Sequence, residues 1–130
     1  MLLAKHVMLI NFITANPSMT VKKTIVILYK KHIGCVVCVD EENKCIGIFT
    51  ERDAIRLLAE NVDLEQPLGN LMTKSVITIQ EDSSINEIRR TIQTHNIRHL
   101  PVVNKENKLV GLLSVRALLD QFFGLNSQNC

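Results

Sequence analysis

Residues 33–52, IGCVVCVDEENKCIGIFTER, align without a gap on residues 97–116, IRHLPVVNKENKLVGLLSVR, at a constant offset of 64 positions. The tripeptides Glu42-Asn43-Lys44 and Glu106-Asn107-Lys108 coincide, as do Val39 with Val103 and Gly47 with Gly111. Further upstream, Ile13-Thr14 falls on Ile77-Thr78. Two copies of one supersecondary unit explain the match most economically. A chain of 130 residues then holds them either as one modest core or as two small packed units.

Each copy spells out the same order of elements. In the second, VITI (76–79) alternates as a strand does, and EDSS supplies acidic and hydroxyl residues suited to a helix start. Ile85, Ile88 and Ile92 follow at helical spacing, with Asn86, Glu87, Arg89 and Arg90 on the other face. LPVV (100–103) and KLVGLL (108–113) read as a hairpin turned at NKEN, and Ser114 opens a last helix running through Phe123. The first copy matches it with FIT, a helix through Val21, Ile25 and Leu28, strands at 35–39 and 45–49, and a helix from Thr50 to about Glu60. The pattern is βαββα twice, an α+β chain. Boundaries follow at 1–62 for the first repeat with its lead-in, 63–71 for a linker around the turn-forming QPLGN, and 72–130 for the second repeat with a polar C-terminal tail.

Composition narrows the classes of function. A net charge of +2 permits a small anionic ligand but shows no clustered basic stripe for nucleic acid. The chain has no Trp and only 4% aromatic residues, too few for a platform that stacks bases. The apolar start MLLAKHVMLINF is interrupted by Lys5 and His6 and is too short for a membrane span or a signal peptide. It is expected to be packed structure, in a cytoplasmic protein with no membrane partner.

Cys35 and Cys38 form a CxxC, followed by Cys45. Their surroundings, IGCVVCVD, read as a buried strand, on which residues an odd number apart point to opposite faces. The pair therefore cannot share one metal, no metal site is expected, and buried reduced thiols are the better reading.

The heptads GIFTERD (47–53) and GLLSVRA (111–117) differ where chemistry is most at stake. Thr50 and Asp53 stand three residues apart at a helix start, close to a capping box in which hydroxyl and carboxylate satisfy the first free amides. The second copy keeps a hydroxyl, Ser114, but has Ala117 where the first has Asp53. The scaffold can thus start this helix without a carboxylate. Asp53 is open to a cap role, a ligand role, or both.

With these residues in view, the chain resembles the cystathionine-β-synthase (CBS) domain family, as a stand-alone tandem pair. The likeness runs from about Val7 to Phe123 and rests on LMTKSVITI, IRHLPVV and CIGIFTERDAIR together with the duplication. It implies two βαββα repeats packed as a pseudo-twofold pair through their sheets, with two related clefts. It also implies a regulatory module that binds AMP, ADP or ATP, with S-adenosylmethionine or NAD(H) as further candidates, and that forms homodimers through its helices. By this resemblance the residues matching Thr50 and Asp53 meet the ribose and phosphate, and the strand matching Arg98–Pro101 closes the same cleft. The residue types suit the task. A carboxylate accepts charge-assisted bonds from vicinal hydroxyls, a helix start favours phosphate, and Arg fits phosphate with its planar fork.

The candidate site is accordingly Thr50, Arg52, Asp53, Ile77, Arg98, His99, Leu100 and Pro101. Arg98 and His99 act as donors, while Ile77, Leu100 and Pro101 form an apolar slot for adenine. Arg52 has a solvated structural role as its alternative, and His99 that of a half-exposed histidine at a strand start. A second, degenerate cleft would use Ile33, Cys35, Val37, Ser114 and Arg116. It lacks the carboxylate, and Val37 replaces the proline of the other repeat.

Three functions compete. A nucleotide sensor, signalling through an unidentified partner or through oligomer state, is expected. A ligand-free association module is its rival, supported by LLDQFFGL, because adjacent Phe122 and Phe123 cannot both enter one core. An enzyme is not expected, since the sequence shows no nucleophile with a base, no metal cluster and no phosphate-loop glycines.

Overall fold

The computed structural model describes residues Met1–Leu125, so the expected polar tail and Cys130 lie outside the described residues. The chain divides into two compact units, one of residues 13–76 and one of residues 1–12 together with 77–130.

In the first of these, β1 (Thr14–Ala15) runs parallel to β2 (Cys35–Val39), and β2 is antiparallel to β3 (Cys45–Thr50) in the order β1-β2-β3. Parallel neighbours need a crossover, and helix α2 (Val21–Lys31) supplies it. Thr20 caps α2 by accepting the Lys23 amide at 3.1 Å, and His32 ends it in the left-handed region with φ 54°. The β2–β3 turn is closed by Asp40, whose Oδ1 accepts the amides of Glu42 and Lys44 at 2.9 Å each, with Asn43 at φ 64°. Asn tolerates that conformation because its short polar side chain bonds locally. Helix α3 (Glu51–Ala59) leaves β3 directly. Val21, Leu28, Val36, Cys38, Phe49, Leu57 and Leu68 form the core between sheet and helices.

The other unit repeats this with β4 (Ile79–Gln80), α4 (Ile85–His95), β5 (His99–Val103), β6 (Leu109–Ser114) and α5 (Val115–Phe122), in sheet order β4-β5-β6. Its core is Ala4, Ile79, Ile88, Leu100, Val102 and Leu113. No helix among the described residues is long and apolar enough to cross a membrane.

Two features depart from the sequence reading. The opening strands are two residues each rather than the expected FIT and VITI. In the second unit the strand also starts one position late, at Ile79 where the offset of 64 from Thr14 gives Thr78, and the reason is chemical. Val37 donates its amide to the Ile13 carbonyl at 3.2 Å, but its counterpart Pro101 has no N–H to extend the ladder towards Ile77.

The second departure concerns the lead-in, which the sequence groups with the first repeat. Its short helix α1 (Ala4–Val7) belongs to the unit of the second repeat. The Ala4 amide donates to Ser83 O at 2.8 Å, Lys5 N to Glu81 O at 2.9 Å, and Leu9 and Leu112 exchange bonds of 2.8 and 2.9 Å. The connecting segment treats the first repeat identically at the same offset. Leu68 N donates to Met19 O at 2.7 Å, Gly69 N to Pro17 O at 2.9 Å, and Ile48 and Thr73 exchange two bonds of 3.0 Å. Repeats in the sequence and compact units in space are therefore offset by one strap each. Periodicity finds elements but not the copy against which an element packs.

Candidate functional site

Thr50 is both the last residue of β3 and the N-cap of α3. Its Oγ1 accepts the Asp53 amide at 3.2 Å. In return Asp53 Oδ2 accepts the Thr50 amide at 2.9 Å and the Thr50 hydroxyl at 3.2 Å. Arg56 Nη2 stands 3.6 Å from the other oxygen, Oδ1. The Asp53 side chain is 16% exposed and that of Arg56 51%, so this long pair contributes little. The capping reading of T-x-x-D is thus realised. A carboxylate offers about four lone-pair directions, and the cap occupies those of one oxygen, leaving Oδ1 at the helix start with only a loose ion pair.

Ser114 occupies the equivalent place in the other unit and accepts the Ala117 amide at 3.2 Å. It is buried, and no acceptor follows at position 117. The hydroxyl cap is common to both copies. The carboxylate is not.

The strand registers decide which expected residues are neighbours. Cys35 pairs with Thr50, and Gly34 O accepts the Glu51 amide at 2.9 Å. His99 pairs with Ser114, and Arg98 O accepts the Val115 amide at 3.1 Å. One unit therefore gathers Ile33, Cys35, Val37, Thr50, Arg52 and Asp53 around one strand start and one helix start. The other gathers Arg98, His99, Leu100, Pro101, Ser114 and Arg116 in the same way, with Ile77 two residues before β4. Arg52, Arg98 and Arg116 are exposed and His99 is half-buried. Leu100 is 1% exposed and lies in its unit's core, whereas Pro101, also buried, follows on the opposite face of β5.

The cysteines divide similarly. Cys38 belongs to the core cluster and Cys35 does not, although both are buried. Burial, with Cys45 nearby, pushes the Cys38 thiol up to about 11. Burial also raises Cys45, partly offset by a backbone hydrogen bond with Gly47. Such thiols are poor nucleophiles at neutral pH.

Two features had no part in the sequence reading. An open groove of about 890 Å³ is lined by Thr14–Pro17, Val39, Asp40, Glu41, Glu42 and Ile46; its only trace in the sequence is the acidic run, which reads equally well as a solvated turn. The other is the packing of Met72 on Gly47 and of Met8 on Gly111.

A sequence profile of the CBS domain matches residues 4–60 and again 68–124. The chain belongs to the CBS domain family, as a tandem pair. It is 32% identical over 109 residues to a 17.7 kDa protein of Acidianus ambivalens, covering 81% of this chain and 66% of that protein. It is 36% identical over 113 residues to the inosine-5'-monophosphate dehydrogenase of Aquifex aeolicus, covering 86% of this chain but only 23% of the enzyme. The chain thus spans two thirds or less of the length of these relatives. Among solved structures, it superposes with TM-score 0.84 on the CBS domain pair of protein MJ0100, in complex with 5'-methylthioadenosine and S-adenosyl-L-methionine, at 29% identity and covering 95% and 97% of the two chains. The CBS domain protein PAE2072 of Pyrobaculum aerophilum, complexed with AMP, matches with TM-score 0.83 at 26% identity, covering 90% of each chain.

Proposed function

We propose that this chain is a regulatory module that binds an adenosine nucleotide, AMP, ADP or ATP, and signals through a partner or through its oligomeric state. One observation carries the reading: a half-buried carboxylate, Asp53, stands at a helix start in one repeat, while the other repeat starts the same helix without one. A residue that the scaffold does not require is a candidate for recognition. The adenosine ligands of the solved relatives support the same choice. In this reading Asp53 and Thr50 take the ribose hydroxyls. Arg52, exposed at the same helix start, serves the phosphates. In the same reading the module is cytoplasmic, and the set ending in Ala117 binds weakly, binds something else or serves packing. Isothermal calorimetry with AMP, ADP and ATP tests it. The expectation is saturable binding that Asp53→Ala weakens about ten- to a hundredfold, the worth of a charged hydrogen bond of roughly 1.5–3 kcal/mol.

A second reading, association without ligand, is favoured by the end of α5. Phe122 and Phe123 are 83% and 68% exposed and stack edge to face at 5.3 Å, beside exposed Leu119 and Leu125. Sedimentation that shows a dimer, together with no thermal shift from any adenosine compound, would select it.

A further inference from the structure

The two heptads share a glycine as well as a hydroxyl, and its reason is not backbone freedom. Among the described residues only Gly124 of the glycines has a positive φ. A Cβ on Gly47 would collide with Met72 Sδ and stand 2.6 Å from its Cε and 2.9 Å from its Cγ. A Cβ on Gly111 would meet Met8 in the same way, 2.7 Å from Cγ and 3.1 Å from Cβ. In each unit a strap methionine therefore lies directly on bare strand backbone.

The Gly47 contact has the greater consequence. Met72 packs against the core that contains Phe49. The next residue of the strap, Thr73, exchanges two hydrogen bonds of 3.0 Å with Ile48. Two residues beyond Ile48 the strand ends at Thr50, whose amide and hydroxyl are held by Asp53. The strap thus grips β3 immediately before the cap.

We propose that Met72 on Gly47 is a latch whose close packing positions the Thr50–Asp53 cap, Met72 and Gly47 being positioning residues rather than ligand groups. A side chain at 47 displaces the Met72 thioether, and a smaller residue at 72 removes its packing, so that only the Thr73–Ile48 bonds still grip the strand. Either change shifts the end of β3 and loosens the cap. The latch matters to function only if Thr50 and Asp53 are ligand groups as proposed above. Its test uses no nucleotide, so failure of one reading is distinguishable from failure of the other.

The test is amide hydrogen exchange by NMR on the full chain and on Gly47→Ala, Met72→Ala and the double variant. The amides of Thr50 and Asp53 report the cap. Those of Ser84 and Glu87, which form the equivalent box at the start of α4 with bonds of 3.4 and 3.2 Å, serve as the control. Each single substitution should speed exchange at Thr50 and Asp53 at least threefold and leave Ser84 and Glu87 within twofold. The double variant, in which the new methyl group occupies the space left by the methionine, should return Thr50 and Asp53 to within twofold of the parent. Unchanged exchange in both single variants overturns the latch. So does equal acceleration at the control cap, or a double variant no better than the singles, including one that fails to fold.

Discussion

Replacing Asp53 separates its two roles if alanine and asparagine are compared. In the native cap Asp53 Oδ2 holds the Thr50 amide at 2.9 Å and the Thr50 hydroxyl at 3.2 Å. Alanine removes both bonds and the negative charge at the start of α3. A hydrogen bond to a charged group contributes roughly 1.5–3 kcal/mol, and charge at a helix start about 0.3–1 kcal/mol. Water replaces part of this at a half-exposed cap, and Ser114 with Ala117 shows that the helix starts without the carboxylate. The net cost of Asp53→Ala is therefore set at about 1–2 kcal/mol, in the range of lost caps. Asparagine keeps an acceptor for the Thr50 amide and loses only the charge, so Asp53→Asn should cost under about 1 kcal/mol. A ribose diol asks for more, because charge-assisted bonds are about twice as strong as neutral ones. Both variants should therefore lose adenosine nucleotide affinity to a similar degree, about tenfold or more. Urea unfolding gives the stabilities and calorimetry gives the affinities. Affinities that simply follow stability, with asparagine close to the parent, would refute the ligand role and leave Asp53 as a cap.

Other expectations come from the same packing. Cys38 is raised to about 11 from an ordinary thiol value of 9.0. The folded state thus holds its proton where the unfolded state releases it. The stability this gives is complete below pH 9 and is lost as pH rises towards 11. Urea midpoints should fall across that window, and less so in Cys38→Ala. Phe49 is fully buried in the core of its unit, so Phe49→Ala should cost about 3–5 kcal/mol and lower the unfolding midpoint more than any surface change. Asn43 and Asn107 both sit at φ 64° in the hairpin turns. Alanine at either should cost roughly 1 kcal/mol, and glycine in the same place should recover it, which urea titration of the pairs would show.

The duplication, the order βαββα and the two hairpins were all open to the sequence, because each copy checks the other. The cap at Thr50 was legible for the same reason, since T-x-x-D bears its hydrogen bonds within four residues. What depends on distant partners was not legible. VITI looks like a full strand, but pairing starts only at Ile79, one position later than in the first copy, because a ladder needs donors on its neighbour and Pro101 withholds one. The lead-in looks like part of the first repeat, but Ala4 and Leu9 hydrogen-bond to Ser83 and Leu112. Leu100 resembles a wall for a ligand in IRHLPVV, and its place in the core appears only once α4 and β6 are beside it. The reason for Gly47 was equally hidden, because it is a methionine twenty-five positions away.

The central claim is that an adenosine nucleotide binds at the start of α3. Its most direct measurement is an NMR titration of the isotope-labelled chain with AMP, following backbone amides. Saturable shifts are expected at Thr50, Arg52 and Asp53 and should be absent in Asp53→Ala, with Ala117 at the equivalent place barely moving. Shifts confined to other residues, or none up to millimolar AMP, ADP and ATP, would contradict it.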